Sequence, residues 1–185
     1  MALTESNNNL KVGDTAPDFS LQGIDGNMYA LKDFTNKQGL LVIFMCNHCP
    51  YVIAKTEAMN TLQEKFGDTI SIIGINSNDP TYPGENTEDT KRFAAEKGIT
   101  FPYLIDGTQV AAKTYGAVCT PDPFLFNSEG KLAFHGRLTN AMQPEDTATE
   151  NTMEDVISQM LAGESIAPEP KLSMGCSIKW IEQSS

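Results

Sequence analysis

Leu40-Leu41-Val42-Ile43-Phe44-Met45-Cys46-Asn47-His48-Cys49-Pro50 is the stretch that decides the fold. Residues 40–45 are an unbroken apolar run of strand length, the pattern of a strand covered on both faces in a parallel sheet. Pro50 lacks an amide proton and is tolerated in a helix only in the first turn. A strand therefore runs into a helix, and a Cys-x-x-Cys pair occupies the junction. The spacing predicts a helix to about Phe66, with Val52, Met59, Leu62 and Phe66 on its apolar face. It puts Cys46 at the helix N-terminus, where unpaired amides and the positive dipole end favour a thiolate. Cysteines so placed reach pKa values of ~3.5–7.5. One thiolate can then attack a disulfide, and the second thiol can resolve the mixed disulfide.

Working outward, Ile70 to Ile75 reads as a second buried strand, and the strand–helix–strand order favours a right-handed parallel crossover. Ala16 to Leu31, broken by Gly23 and Asp25-Gly26, reads as a small antiparallel ribbon. Downstream lies a polar loop, Asn76 to Asn86, with Pro80, Pro83 and Gly84. A helix then runs to about Lys97, with Asn86 or Thr87 as N-cap and Gly98 as its stop. Phe101 to Ile105 is a short strand, and Thr108 to Tyr115 a short helix ended by Gly116. Pro123 to Asn127 and Lys131 to Gly136 form a hairpin, and Thr152 to Leu161 is a last helix stopped by Gly163. The reading is an α/β fold with a central mixed sheet flanked by helices and an N-terminal ribbon. Residues 1–11 are expected to be a flexible arm and 12–163 one redox domain. Residues 164–185, with Pro168 and Pro170, are expected to be a tail packed on or near that domain.

The 185 residues suffice for one well-buried domain. No apolar run approaches the ~20 residues that span a bilayer. A net charge of -11 argues against nucleic acid and anionic membrane as partners. Met1 to Asn9 is polar and does not read as a secretory signal. The chain is long enough to build its own core, which argues against a secreted disulfide scaffold, and in a cytoplasmic protein, the location expected here, a Cys-x-x-Cys pair points to redox or metal chemistry. No Gly-rich phosphate loop is present, so no organic cofactor is expected. No metal site is expected either, because Cys119, Cys176 and His135 are scattered rather than regularly spaced.

Gly13-Asp14-Thr15-Ala16-Pro17-Asp18-Phe19, the Cys46–Pro50 motif and Thr120-Pro121 together resemble the redoxin branch of the thioredoxin superfamily. That branch includes alkyl hydroperoxide reductase-type peroxiredoxins and the thiol reductases of cytochrome maturation. Cys119-Thr120-Pro121-Asp122 and Gly175-Cys176-Ser177-Ile178-Lys179-Trp180 resemble segments of peroxiredoxin-like proteins that carry a Cys-x-x-Cys pair. The likeness runs from about Val12 to Trp180. It implies a thioredoxin-like fold and a thiol–disulfide oxidoreductase. The partner would be a protein or small-molecule disulfide or dithiol, with a thioredoxin- or glutathione-type electron donor. It implies Cys46 as nucleophile and Cys49 as resolving thiol, modulated by Asn47, His48 and Pro50. His48 would stabilise the Cys46 thiolate and make the disulfide more oxidising. Thr120-Pro121 resembles the cis-proline loop that faces the redox pair and offers its backbone to a substrate strand.

The resemblance leaves two alternatives. In the peroxiredoxin motif Pro-x-x-x-Thr-x-x-Cys, Cys49 takes the peroxide-attacking place, but Val42 stands for the Pro and Cys46 for the Thr. A thiol-dependent peroxidase would therefore lack its polarising groups. The other alternative is a zinc-binding or non-catalytic interaction module. Residues 40–45 hold no carboxylate, so a general base must come from Asp122 or from water. Cys119 is either a third redox thiol or a small buried apolar residue. Cys176 pairs with Cys119, stores oxidising equivalents, links two chains, or is an inert packed thiol. Trp180 reads as a packing anchor and His135 as a hairpin residue. The Asn76 to Asn86 loop leaves the carboxyl end of a parallel strand, where sites lie, and Asn78 and Tyr82 are its candidate contacts.

Overall fold

The computed structural model describes residues 3–7, 9–166 and 171–182; Pro168 and Pro170 lie outside them, as does the start of the N-terminal arm. The first strand, β1, is Leu3–Glu5. Strands β2 (Ser20–Gly23) and β3 (Met28–Ala30) form the ribbon, and Gly26 takes the positive φ of 87° that its turn requires. Strand β4 (Gly39–Phe44), helix α1 (Pro50–Phe66) and strand β5 (Ser71–Asn76) make the crossover unit, with β4 and β5 parallel. Helix α2 (Thr87–Glu96) is capped by Asn86, whose side chain accepts the Asp89 amide at 2.9 Å. Strand β6 (Tyr103–Ile105), helix α3 (Val110–Tyr115) and strands β7 (Cys119–Thr120), β8 (Asp122–Asn127) and β9 (Leu132–His135) follow. Helix α4 (Thr152–Leu161) and strand β10 (Met174–Ser177) end the chain of elements.

The main sheet runs β3-β2-β6-β5-β4-β8-β9, with β4, β5 and β6 parallel and the other pairings antiparallel. This is the mixed, helix-flanked sheet that the sequence predicts. Strand β4 lies inside it, and residues 41–45 are all 0% exposed, so both of its faces are covered. Leu41, Ile43 and Met45 pack with Val52, Met59 and Leu62 of α1 on one face. Leu40, Val42 and Phe44 pack with Ala111, Ala112 and Tyr115 of α3 on the other.

A second sheet, β1-β10-β7, was not legible in the sequence. Leu3–Glu5, expected in a flexible arm, pairs antiparallel with β10 (Leu3 with Cys176, Glu5 with Met174). Strand β10 pairs in turn with β7, placing Cys176 opposite Thr120 and Ser177 opposite Cys119. These short segments show no apolar alternation, and their pairing is carried by backbone. Gly175 is the residue that permits it, because a Cβ there would lie 1.8 Å from the Thr120 carbonyl oxygen. The tail beyond β10 is held as well. The Lys179 amide donates to Asn78 Oδ1 at 2.8 Å, and the Gln109 side chain donates to the Lys179 carbonyl at 2.8 Å and accepts the Ile181 amide at 2.9 Å.

Candidate active site

Pro50 is the first residue of α1 and Cys49 is its N-cap. This corrects the placement of Cys46 at the helix terminus. Cys46 sits upstream in the turn after β4, and Cys49 is the cysteine placed at the helix N-terminus, where the positive dipole end acts on it. Both side chains are buried in the same core cluster. Thr120 serves both. Its Oγ1 is 3.1 Å from Cys46 Sγ, and its carbonyl oxygen is 3.3 Å from Cys49 Sγ. The Thr120-Pro121 bond is cis. The backbone edge of Thr120, expected to meet a substrate strand, is paired with β10.

Glu85 was missed by sequence reading. Its side chain is fully buried, and it accepts the Asn47 and His48 amides, each at 3.1 Å, and the Asn76 side-chain amide at 2.8 Å. It is also hydrogen-bonded to His48 Nδ1. The loop carries another acid, Asp79, which faces Thr81 at the surface, and no spacing in the sequence tells the two apart. Asn47 anchors the turn, donating to the Gly84 carbonyl at 3.0 Å and to Thr90 Oγ1 at 2.8 Å and accepting the Tyr103 hydroxyl at 3.1 Å. The His48 ring stacks on Tyr82, with centroids 4.9 Å apart.

These surroundings treat the two sulfurs differently. The Cys46 thiol is pushed well above its ordinary range by its hydrogen bond to Cys49, by burial, and by the Glu85 anion. Cys49 is lowered to about 5, first by the Cys46 hydrogen bond and then by contacts with Cys176 and with the Val52 and Cys176 amides, against the cost of burial. The pair titrates as a unit, losing one proton readily and holding the second. Thr120 can serve either sulfur, with its hydroxyl facing Cys46 Sγ and its carbonyl accepting from the Cys49 thiol.

Asp122 does not serve this pair. It is fully buried, bonded to His135 Nε2 at 2.7 Å and to the Ser6 hydroxyl at 2.8 Å, and burial pushes its carboxyl up. Its reading as general base is therefore corrected: it ties residue 6 to the core. Asn78 is likewise a buried tether for Lys179 rather than a substrate contact. Tyr82 lies over His48 and is partly exposed. Successive strand side chains face opposite sides, and Thr120 faces Cys46, so Cys119 points away from the pair, and burial pushes its thiol up. Cys176 stands opposite Thr120 and so faces the same side of its sheet as the Thr120 hydroxyl, toward the pair.

Among the described residues, donor atoms of Cys46, His48 and Glu85 lie within 4.8 Å of one another. Glu85 is already engaged by three N–H groups and by His48, and Cys49 is outside the set.

A dithiol at the start of a helix, at the carboxyl end of a buried strand and facing a cis-proline loop, defines a thioredoxin-like protein. The chain belongs to the AhpC/TSA family, whose profile matches residues 12–135, and so to the redoxin branch of the thioredoxin superfamily. It is similar to an uncharacterized conserved protein from Geobacillus kaustophilus, with 35% identity, a TM-score of 0.92, and coverage of 100% of this chain and 99% of that one. It is 29% identical over 138 residues to the thiol-disulfide oxidoreductase ResA of Geobacillus thermodenitrificans, covering 73% of each chain. A putative thiol:disulfide interchange protein DsbE from Chlorobium tepidum shares the fold at a TM-score of 0.64 and 22% identity, over 84% of this chain and 98% of that one.

Proposed function

We propose that the chain is a thiol–disulfide oxidoreductase that works through Cys46 and Cys49 on a protein or small-molecule partner. The observation that carries this reading is the placement of the pair: two buried cysteines, Cys49 at a helix N-cap, each with one oxygen of Thr120 beside its sulfur in a cis-proline loop. A proton moves from Cys46 to Cys49. The Cys46 thiolate, held by the Thr120 hydroxyl, attacks the partner's disulfide, and one partner sulfur leaves as a thiolate. Cys49 then gives its proton to the departing partner thiolate and attacks Cys46 Sγ. The mixed disulfide breaks, the second partner sulfur leaves, and the Cys46–Cys49 disulfide remains. Glu85 keeps the idle charge off Cys46 and so holds the nucleophile protonated between encounters.

The test uses single serine variants with insulin as the probe disulfide. Cys46→Ser abolishes reduction, and Cys49→Ser accumulates a mixed disulfide. Retained activity in Cys46→Ser refutes the assignment. Equilibration with glutathione buffers gives the direction of flow. A potential near ~-270 mV fits a reductant in a reducing cytoplasm, and one near ~-120 mV fits an oxidant.

A peroxidase reading draws on one observation, that Cys49, in the place matched to the peroxide-attacking cysteine, caps the N-terminus of α1. Hydrogen peroxide would then oxidise the reduced protein within the mixing time. Oxidation no faster than that of an ordinary thiolate removes this reading.

A further inference from the structure

Cys176 lies at the far end of the sequence from the pair, yet it is part of the same buried cluster as Cys46 and Cys49. Its position is set by backbone. Strand β10 pairs with β7 so that Cys176 stands opposite Thr120, the residue whose carbonyl contacts Cys49 Sγ at 3.3 Å. Side chains directly opposite each other across an antiparallel pair share one face of the sheet, so Cys176 lies on the side to which Thr120 turns its hydroxyl, the side of the redox pair; the neighbouring Cys49 helps to push the Cys176 thiol up. Gly175 holds this register, because any side chain there would meet the Thr120 backbone. Cys49 thus has one sulfur neighbour in the turn, Cys46, and another on β10, Cys176. Cys119, the remaining cysteine, faces the other side of its strand.

We propose that Cys176 is the third redox thiol of the centre and takes over the disulfide from Cys46. The step rests on the oxidoreductase reading above, which supplies the Cys46–Cys49 disulfide. Cys176 Sγ attacks Cys49 Sγ, the Cys46–Cys49 bond breaks, and a Cys49–Cys176 bond forms. The proton leaving Cys176 ends on Cys46, so two thiols and one disulfide are conserved and no outside oxidant is needed. The product stores the oxidising equivalents on the C-terminal strand and returns Cys46 as a thiol. The oxidised protein therefore keeps a nucleophile.

The test compares full-length wild type with the variants Cys176→Ser, Cys46→Ser and Cys46→Ser/Cys119→Ser. Each is reduced, treated with diamide, alkylated and mapped for disulfides by mass spectrometry. In Cys46→Ser an intramolecular Cys49–Cys176 link forms and only Cys119 is alkylated. In Cys46→Ser/Cys119→Ser all alkylation is lost. Wild type oxidised by its partner disulfide shows both the Cys46–Cys49 and the Cys49–Cys176 links, and Cys176→Ser shows only the first. Full alkylation of Cys176 in oxidised Cys46→Ser overturns the proposal, as does a Cys49–Cys119 link. If Cys176→Ser forms no Cys46–Cys49 disulfide, the oxidoreductase reading itself fails, which the other variants distinguish. Far-ultraviolet circular dichroism confirms that each variant is folded.

Discussion

Replacing Gly175 by alanine tests the joint between the tail and the redox centre. The added Cβ would lie 1.8 Å from the Thr120 carbonyl oxygen and 2.6 Å from its carbonyl carbon. Both are backbone atoms, so no side chain can swing aside. Restoring ordinary contact at ~3.5 Å requires β10 and β7 to separate by more than about 1 Å. Ladder bonds of ~2.9 Å then stretch past the distance at which they count. Overpacking of this kind costs about 1–3 kcal/mol, and each lost backbone hydrogen bond about 1 kcal/mol more. The expected destabilisation is about 2–4 kcal/mol. With a slope of ~2 kcal/mol/M, the urea midpoint falls by about 1–2 M. The same separation removes the Cys176 contacts from Cys49, so Cys176 becomes reactive toward a thiol-titrating reagent in the folded protein. An unchanged midpoint together with a Cys176 that stays unreactive would refute the reasoning that β10 is seated on Thr120.

The remaining predictions follow from the electrostatics and the buried polar groups. Thiolate absorbance at 240 nm of the reduced protein rises with a first midpoint near 5, set by Cys49; a single step near 9 would contradict the shared-proton description. Because the folded pKa of Cys49 lies below its ordinary value of 9.0, its stabilising contribution is full above that value and is lost as pH falls toward 5. Urea unfolding of reduced wild type and Cys49→Ser checks this, since the gap between them narrows as the solution is acidified. Glu85→Ala leaves the Asn47 and His48 amides and the Asn76 side chain without an acceptor and costs about 3 kcal/mol or more; a loss under ~1 kcal/mol shows that water replaces the carboxylate. Asp122→Ala removes the shared partner of His135 and Ser6 and costs about 2–4 kcal/mol, with faster amide exchange across residues 3–6. Exchange unchanged there would mean that Ser6 does not tie the N-terminal strand.

Much of the framework was legible because it is written in side-chain pattern. The apolar run at residues 40–45 reports a strand covered on both faces, and Pro50 reports the start of α1. Asn86 and Gly116 mark the ends of helices through their own chemistry, a side-chain cap and a positive φ. The turn at Asp25-Gly26 is read in the same way. What escaped depends on long-range placement. The β1-β10-β7 sheet is built from segments such as Met174-Gly175-Cys176-Ser177, whose pairing leaves no periodicity to read. Glu85 and Asp79 share a polar loop, and only the folded chain shows which is enclosed. The error over the helix terminus is of another kind. Proline at the first helical position makes the preceding cysteine the cap, so Pro50 points to Cys49 rather than Cys46.

Strand β10 lies between β1 and β7, so it joins the beginning of the chain to its end around the redox pair. Closing a loop between segments so far apart in sequence carries a large entropy cost. The joint it makes ends on Thr120, the residue that touches both sulfurs, so a change in Leu3–Glu5 or Met174–Ser177 bears on the dithiol from a distance, through the backbone of one residue.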